Sequence, residues 1–148
     1  GMYALNSLRI EKGYRAWKGD LSTDYSLLEG GLERFIKFDK PQDFVGKAAL
    51  QSEKQQGSAK RFVQLIVEAG DADAPYMSTL WHGGEVVGET TSGDWGYRVG
   101  ASIALGMVRA ELAAPGTELE VEIYGHRRRA TVQTDAPLWD PENARLRA

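Results

Sequence analysis

Glu11 lies in the run Ser7-Leu8-Arg9-Ile10-Glu11-Lys12-Gly13-Tyr14. A carboxylate can accept two parallel hydrogen bonds from a planar amidine-like edge. Such a pair is stronger and more directional than a single contact. A pterin presents that edge through its amino group and a ring N–H. The competing reading is a strand carboxylate paired with Arg9 or Lys12, which contributes little at a surface. Arg127, Arg128 and Arg129 stand beside His126 and could capture phosphate or a polyglutamate chain. On a strand, however, they would point to alternate faces, with Glu118, Glu120 and Glu122 across a hairpin to pair with them. His82 and His126 are the only histidines, and both sit next to glycines in expected turns. Two isolated histidines make no metal site, so none is expected. The stretch Gly93-Asp94-Trp95-Gly96-Tyr97-Arg98-Val99-Gly100 is glycine-spaced, but it matches neither the phosphate-binding loop nor the dinucleotide fingerprint. Trp95 and Tyr97 are expected to pack in a barrel mouth.

Composition removes other classes. The 148 residues carry 18 basic and 21 acidic side chains, a net charge of −3. A nucleic-acid binder needs a basic excess, so no nucleic-acid partner is expected. No apolar run approaches the ~20 residues that span a bilayer, so no membrane partner is expected either. The absence of cysteine removes disulfides and zinc–thiolate sites. The expected location is cytoplasmic.

The elements that must position these residues change character along the chain. Leu8 and Ile10 alternate with Arg9 and Glu11, which predicts a short strand. Ser22, Thr23 or Asp24 would cap a helix through Leu27 to Glu29 that Gly30-Gly31 stops. A strand is expected over 32–38. A helix should open at Asp43 or Phe44, carry Ala48 to Leu50 and fade at Gly57. The polar stretch 51–60 is the best linker candidate. Beyond it the pattern becomes strand-rich: 61–68, a hairpin at Gly83-Gly84, 103–108, and the alternation of Leu119, Val121 and Ile123 with glutamates. Gly125 turns this last strand into 129–133. At least five short strands with tight turns predict a small barrel or sandwich.

Several segments together resemble the glycine-cleavage T-protein (aminomethyltransferase) family. Ser7 to Tyr14 is similar to its S-L-R-x-E-x-G stretch, and Trp17-Lys18-Gly19-Asp20-Leu21 to its aromatic-Gly-Asp turn. Glu29-Gly30-Gly31-Leu32 resembles E-[AG]-x-L, and Phe44 to Leu50 resembles F-x-G-K-x-A-L. Gly84 to Gly93 resembles the G-x-x-V-G-x-x-T-S-G hairpin of its C-terminal barrel. Pro137-Leu138-Trp139-Asp140-Pro141 is similar to the P-L-Y-D-P of the dimethylglycine and sarcosine dehydrogenase branch. The order and spacing run from about residue 5 to residue 141.

The resemblance implies an α+β chain: residues 1–57 as the C-terminal part of a folate-binding α/β domain, and 58–148 as a small antiparallel β-barrel. It implies tetrahydrofolate as cofactor, with FAD only in a missing N-terminal part. Glu11 would hold the pterin, and Arg9 and Tyr14 would lie beside it. Lys40 stands where the family has an arginine for the folate tail, and loses its bidentate geometry. Ala4 replaces a tyrosine that the family often has seven residues before the glutamate. The family's catalytic aspartate lies in an N-terminal region this chain lacks, so no catalytic residue is assigned. The expected function is one module of an aminomethyltransferase or a dimethylglycine/sarcosine-type demethylating dehydrogenase, partnered by folate and by the missing half or an oxidoreductase subunit. The alternatives are a non-catalytic domain docking onto such a subunit, or an RNA-contacting barrel.

Overall fold

The computed structural model describes residues 1–147. Six strands, β1 (Lys60–Val67), β2 (Thr79–His82), β3 (Glu85–Gly96), β4 (Ala101–Arg109), β5 (Glu118–Ile123) and β6 (His126–Val132), close in the order β1-β4-β3-β2-β5-β6. Every neighbouring pair is antiparallel. The barrel is therefore the expected small one, and closure leaves no strand edge unpaired. The hairpin at Gly83-Gly84 is present, with φ of 58° and 85°. Both values favour glycine and suit the twist of a two-residue turn.

Strand β5 shows why the fold was readable. Leu119, Val121 and Ile123 are buried while Glu118, Glu120 and Glu122 face outward. The barrel interior is filled by these residues with Val63, Leu65, Leu80, Ala104, Val108 and Val132. Strand β4 departs from this alternation and is buried at almost every position. Its outer face, Ile103, Leu105 and Met107, is covered by Phe62 and by Ile10 of helix α1 (Met2–Glu11).

Helix α1 replaces the strand expected over residues 8–11. Its buried residues are Ser7, Ile10 and Glu11, the i, i+3, i+4 stripe of a helix. A four-residue window of alternation cannot separate that stripe from a strand, and two of its three members are polar. Burying Ile10 contributes about 1.5–3 kcal/mol. Residues 32–38 form no strand. They hold one short 3-10 turn, Glu33–Phe35, and no strand lies beside them to complete a ladder. The helix expected near Ser22 is a series of turns. Its cap is Ser26: Ser26 Oγ accepts from Glu29 N at 3.0 Å, and Glu29 Oε2 accepts from Ser26 N at 3.1 Å. This reciprocal capping box stops at Gly30-Gly31 after one turn. Helix α2 (Lys47–Gln56) runs through much of the stretch read as a linker and ends at Gly57, whose φ is 88°.

Tyr25 ties this irregular segment to the barrel. Its hydroxyl donates to Glu89 Oε1 at 2.8 Å, and Lys60 Nζ reaches the same oxygen at 3.2 Å. Burial and the Glu89 carboxylate push the Tyr25 phenol above its ordinary value of 10.0. The folded state therefore holds the proton more tightly than the unfolded state. The resulting stabilisation is complete below pH 10 and is lost as pH rises beyond it. Urea titrations at rising alkaline pH should show a steeper loss of stability in the wild type than in Tyr25→Phe. Parallel curves would remove Tyr25 as the cause.

Candidate functional site

Helix α1 ends at the rim of the barrel, and its last turn sends three charged side chains to three places. Arg9 and Glu11 do not share a face, because residues two apart on a helix diverge. Arg9 donates from Nη1 to Asp20 Oδ2 at 2.6 Å and to the Tyr14 carbonyl at 3.0 Å. Its Nη2 donates to Ser92 Oγ at 2.6 Å and to Asn6 Oδ1 at 2.7 Å. Asp20 is fully buried and accepts four hydrogen bonds. Thr91 Oγ1 and Ser92 Oγ donate to Oδ1 at 2.6 and 2.7 Å, while Arg9 and the Ala16 amide occupy Oδ2.

Glu11 turns the other way, into the turn joining β3 to β4, and its residue is 1% exposed. Oε1 accepts from the amides of Arg98 at 2.5 Å and Val99 at 3.3 Å. Oε2 is buried with no hydrogen-bond partner, and Arg98 Nη1 lies 3.8 Å away. The Arg98 guanidinium stacks 4.3 Å from the Trp139 ring centroid. Arg98, Trp139, Asp140 and Arg145 line a cavity of about 420 Å³. The carboxylate thus retains one buried acceptor oxygen with no hydrogen-bond partner, next to Arg98, where a paired grip would use two.

Lys12 holds the C-terminal segment. Its ammonium donates to the carbonyls of Trp139 and Asp140 at 3.2 and 2.6 Å and to Asn143 Oδ1 at 2.8 Å. Burial alone would raise the Asp140 carboxyl, but the amides of Arg145, Leu146 and Ala144 and the Lys12 charge outweigh it and hold it below its ordinary range. Tyr14 has a half-exposed ring, and its carbonyl makes the contact with Arg9. Lys40 lies in an exposed loop, where its own carbonyl accepts from Lys47 Nζ at 2.9 Å. It lines none of the cavity beside Trp139. Trp95 and Tyr97 are 40% and 80% exposed, so they do not fill a barrel mouth. Two of the three arginines of β6 are paired outward: Arg127 with Glu120, and Arg129 with Glu68 and Glu118. They form no free basic patch. Among the described residues no group of three metal-ligating side chains converges.

A family model described as the glycine cleavage T-protein C-terminal barrel domain matches residues 60–140. The chain belongs to the glycine cleavage T-protein family. A second model, the GCVT N-terminal domain, matches residues 1–40. Mitochondrial dimethylglycine dehydrogenase of Mus musculus is 43% identical over 147 residues, covering 99% of this chain and 17% of that protein. The aminomethyltransferase of Synechococcus sp. (strain CC9902) is 37% identical over 132 residues, covering 89% of this chain and 36% of that protein. The chain therefore spans about a sixth to a third of the length of these relatives. The crystal structure of glycine cleavage system aminomethyltransferase T from Bartonella henselae superposes with a TM-score of 0.87 at 25% identity, covering 95% of this chain and 39% of that one.

Family membership gives the Arg9–Asp20 cluster a new reading. Arg9 comes from the S-L-R-x-E-x-G stretch, Asp20 from the aromatic-Gly-Asp turn, and Thr91 and Ser92 from the T-S-G hairpin. Two neighbouring T-protein segments and a third some seventy residues further on meet in one buried hydrogen-bonded knot. Asp20, Thr91, Ser92, Arg98 and Trp139 were not singled out as site residues from sequence. For the first three the signal was present, since each lies in a quoted motif, but no local pattern shows that the motifs touch. Trp139 also lies in a quoted motif, but its stacking with Arg98 joins the β3–β4 turn to the C-terminal segment and leaves no local trace.

Proposed function

We propose that this chain is the C-terminal module of a tetrahydrofolate-dependent aminomethyl-transfer unit, or of a dimethylglycine- or sarcosine-type demethylating dehydrogenase, to which it contributes folate contacts. The observation that carries the reading is the buried, unpartnered Oε2 of Glu11. An acceptor left without a donor in the interior costs about 1–3 kcal/mol, and a ligand N–H placed there recovers it. The residues present fit a pterin edge through that single oxygen, because backbone amides already occupy Oε1. Arg9 acts through the knot that fixes the last turn of α1, and Tyr14 through the carbonyl that Arg9 holds. Lys40 supplies positive charge at long range to a folate tail rather than a fitted contact. Tetrahydrofolate, when bound, supplies the nitrogen that takes up the one-carbon group; this chain's own residues bind and orient it. The cytoplasmic location expected from the sequence belongs to the same proposal, although the dimethylglycine dehydrogenase relative is named as mitochondrial.

The test is a tetrahydrofolate titration followed by tryptophan fluorescence, with Trp139 beside the site. Glu11→Gln replaces one carboxylate oxygen by an amide and should weaken binding by about tenfold, the worth of one charge-assisted contact. Saturable binding that the substitution leaves unchanged overturns the role of Glu11.

A second reading rests on a different observation. Met2, Tyr3, Leu5, Trp17, Phe35 and Val45 are all more than half exposed. An apolar surface of this kind on residues 1–57 supports docking against preceding polypeptide or an oxidoreductase subunit. A chain that stays monomeric and soluble at high concentration in size-exclusion chromatography argues against an obligate partner.

A further inference from the structure

Arg98, Trp139, Asp140 and Arg145 line the cavity of about 420 Å³ between the β3–β4 turn and the C-terminal segment. Its size falls in the usual range for small-molecule sites. Two of its walls carry a guanidinium and one carries a carboxylate, and these charges are not matched to one another.

The carboxylate is neutralised from behind. The Asp140 side chain is only 7% exposed, and Lys12 Nζ stands 3.8 Å from its Oδ2. Oδ1 accepts from the Arg145 amide at 3.2 Å, and Oδ2 is buried, so neither oxygen is presented to the cavity. The guanidiniums keep their donors. The Arg98 side chain is 47% exposed, and its Nη1 lies 3.8 Å from Glu11 Oε2, beyond hydrogen-bond reach. Arg145 is exposed, and no carboxylate among the described residues pairs with its guanidinium. Arg9, Arg15 and Arg109, by contrast, each donate directly to a carboxylate, at 2.6, 3.0 and 3.0 Å. The cavity wall is therefore positive in a chain whose net charge is −3.

The wall is also built. The Arg98 amide donates to Glu11 Oε1 at 2.5 Å, and its guanidinium lies 4.3 Å from the Trp139 centroid, which fixes the plane of the fork. Trp139 is held in turn, its amide donating to the Glu11 carbonyl at 3.1 Å. The backbone that carries Arg145 follows a turn closed by the Asn143 amide on the Asp140 carbonyl at 3.0 Å. Lys12 pins that turn through the carbonyls of Trp139 and Asp140 and through Asn143 Oδ1. A planar guanidinium held in one plane suits the paired oxygens of a carboxylate or a phosphate.

We propose that this cavity binds a small organic oxyanion, a carboxylate or a phosphate monoester, through the guanidiniums of Arg98 and Arg145. The inference does not rest on the folate reading, because neither arginine needs a pterin beside Glu11 to receive an anion. The test uses the whole chain, labelled with nitrogen-15, and follows the arginine Nε–H resonances at constant ionic strength, so that screening stays fixed. Sodium glutarate should displace the Arg98 and Arg145 resonances together and saturably, in the millimolar range. Methyl phosphate in a parallel titration separates the two oxyanion classes, and saturable displacement by either supports the site. Glutaramide has the shape of glutarate without its charge, and should bind at least about tenfold more weakly. Arg145→Gln should weaken the binding by about tenfold, whereas Arg127→Gln, remote from the cavity and paired with Glu120, should leave it unchanged. Competition settles the source of the anion. Glutarate that weakens a tetrahydrofolate titration assigns the cavity to that coenzyme's own carboxylates, and glutarate that leaves it unchanged assigns it to a separate molecule. Three results would overturn the proposal: no saturable displacement by either anion, equal binding of glutaramide, or anion binding that Arg145→Gln leaves intact.

Discussion

Asp20→Ala lowers the unfolding free energy by about 3–5 kcal/mol, the range for removing one member of a buried ion pair. The size follows from what is left behind. Arg9 keeps a positive charge in a site where its side chain is only 18% exposed, with Asp20 gone from 2.6 Å. Thr91 Oγ1, Ser92 Oγ and the Ala16 amide each lose their acceptor as well. Arg9 retains Asn6 and the Tyr14 carbonyl, which places the loss toward the lower end. Asp20→Asn keeps the shape and one acceptor oxygen, and should lose about half as much. Urea unfolding monitored by tryptophan fluorescence measures both. A loss below about 1 kcal/mol for the alanine variant, the scale of a surface pair, would show that the knot holds nothing together.

Gly88→Ala is the second severe substitution, costing about 3 kcal/mol or more at the upper end of the overpacking range. A Cβ at this position would lie 2.0 Å from the Met107 carbonyl oxygen and 2.9 Å from Val108 Cα. Both are backbone atoms of β4, so no side chain can rotate away. Gly88 is paired with Leu80 on one side and Val108 on the other, next to the extra residue Val87 that makes a bulge in β3. The barrel must open to admit a methyl group there. Gly100→Ala is the control: nothing lies within 4 Å of its Cβ, and only a φ of 71° opposes the change. That conformation costs about 1 kcal/mol. Equal stability losses for the two variants would mean that close strand approach is not what requires Gly88.

The barrel was legible because its strands carry their own signals. Strand β5 alternates strictly, the Gly83-Gly84 turn names its hairpin, and every strand except β1 pairs with a sequence neighbour. Residues 1–57 were read less well. The polar members of the α1 stripe, Ser7 and Glu11, are buried by hydrogen bonds to the end of β3 and to the β3–β4 turn rather than by hydrophobicity, so no apolar period marks the helix. Residues 32–38 have β-like composition but no neighbour, and a strand without a ladder does not form. Glu11 was legible only through resemblance. Its position on α1, the loss of Oε1 to two amides and the proximity of Trp139 all depend on contacts more than 80 residues apart. Lys40 likewise takes its expected role from the resemblance alone, and it lies in an exposed loop.

The grip of Lys12 on the C-terminal segment joins residues 127 to 131 positions apart. During synthesis on the ribosome, helix α1 therefore cannot reach its contacts on the β3–β4 turn and on β4 until those elements have emerged. It gains its final anchor only after Asn143 has left the exit tunnel. Such distant closures are slow to form. Until then Ile10 stands outside the apolar cluster that buries it in the finished fold.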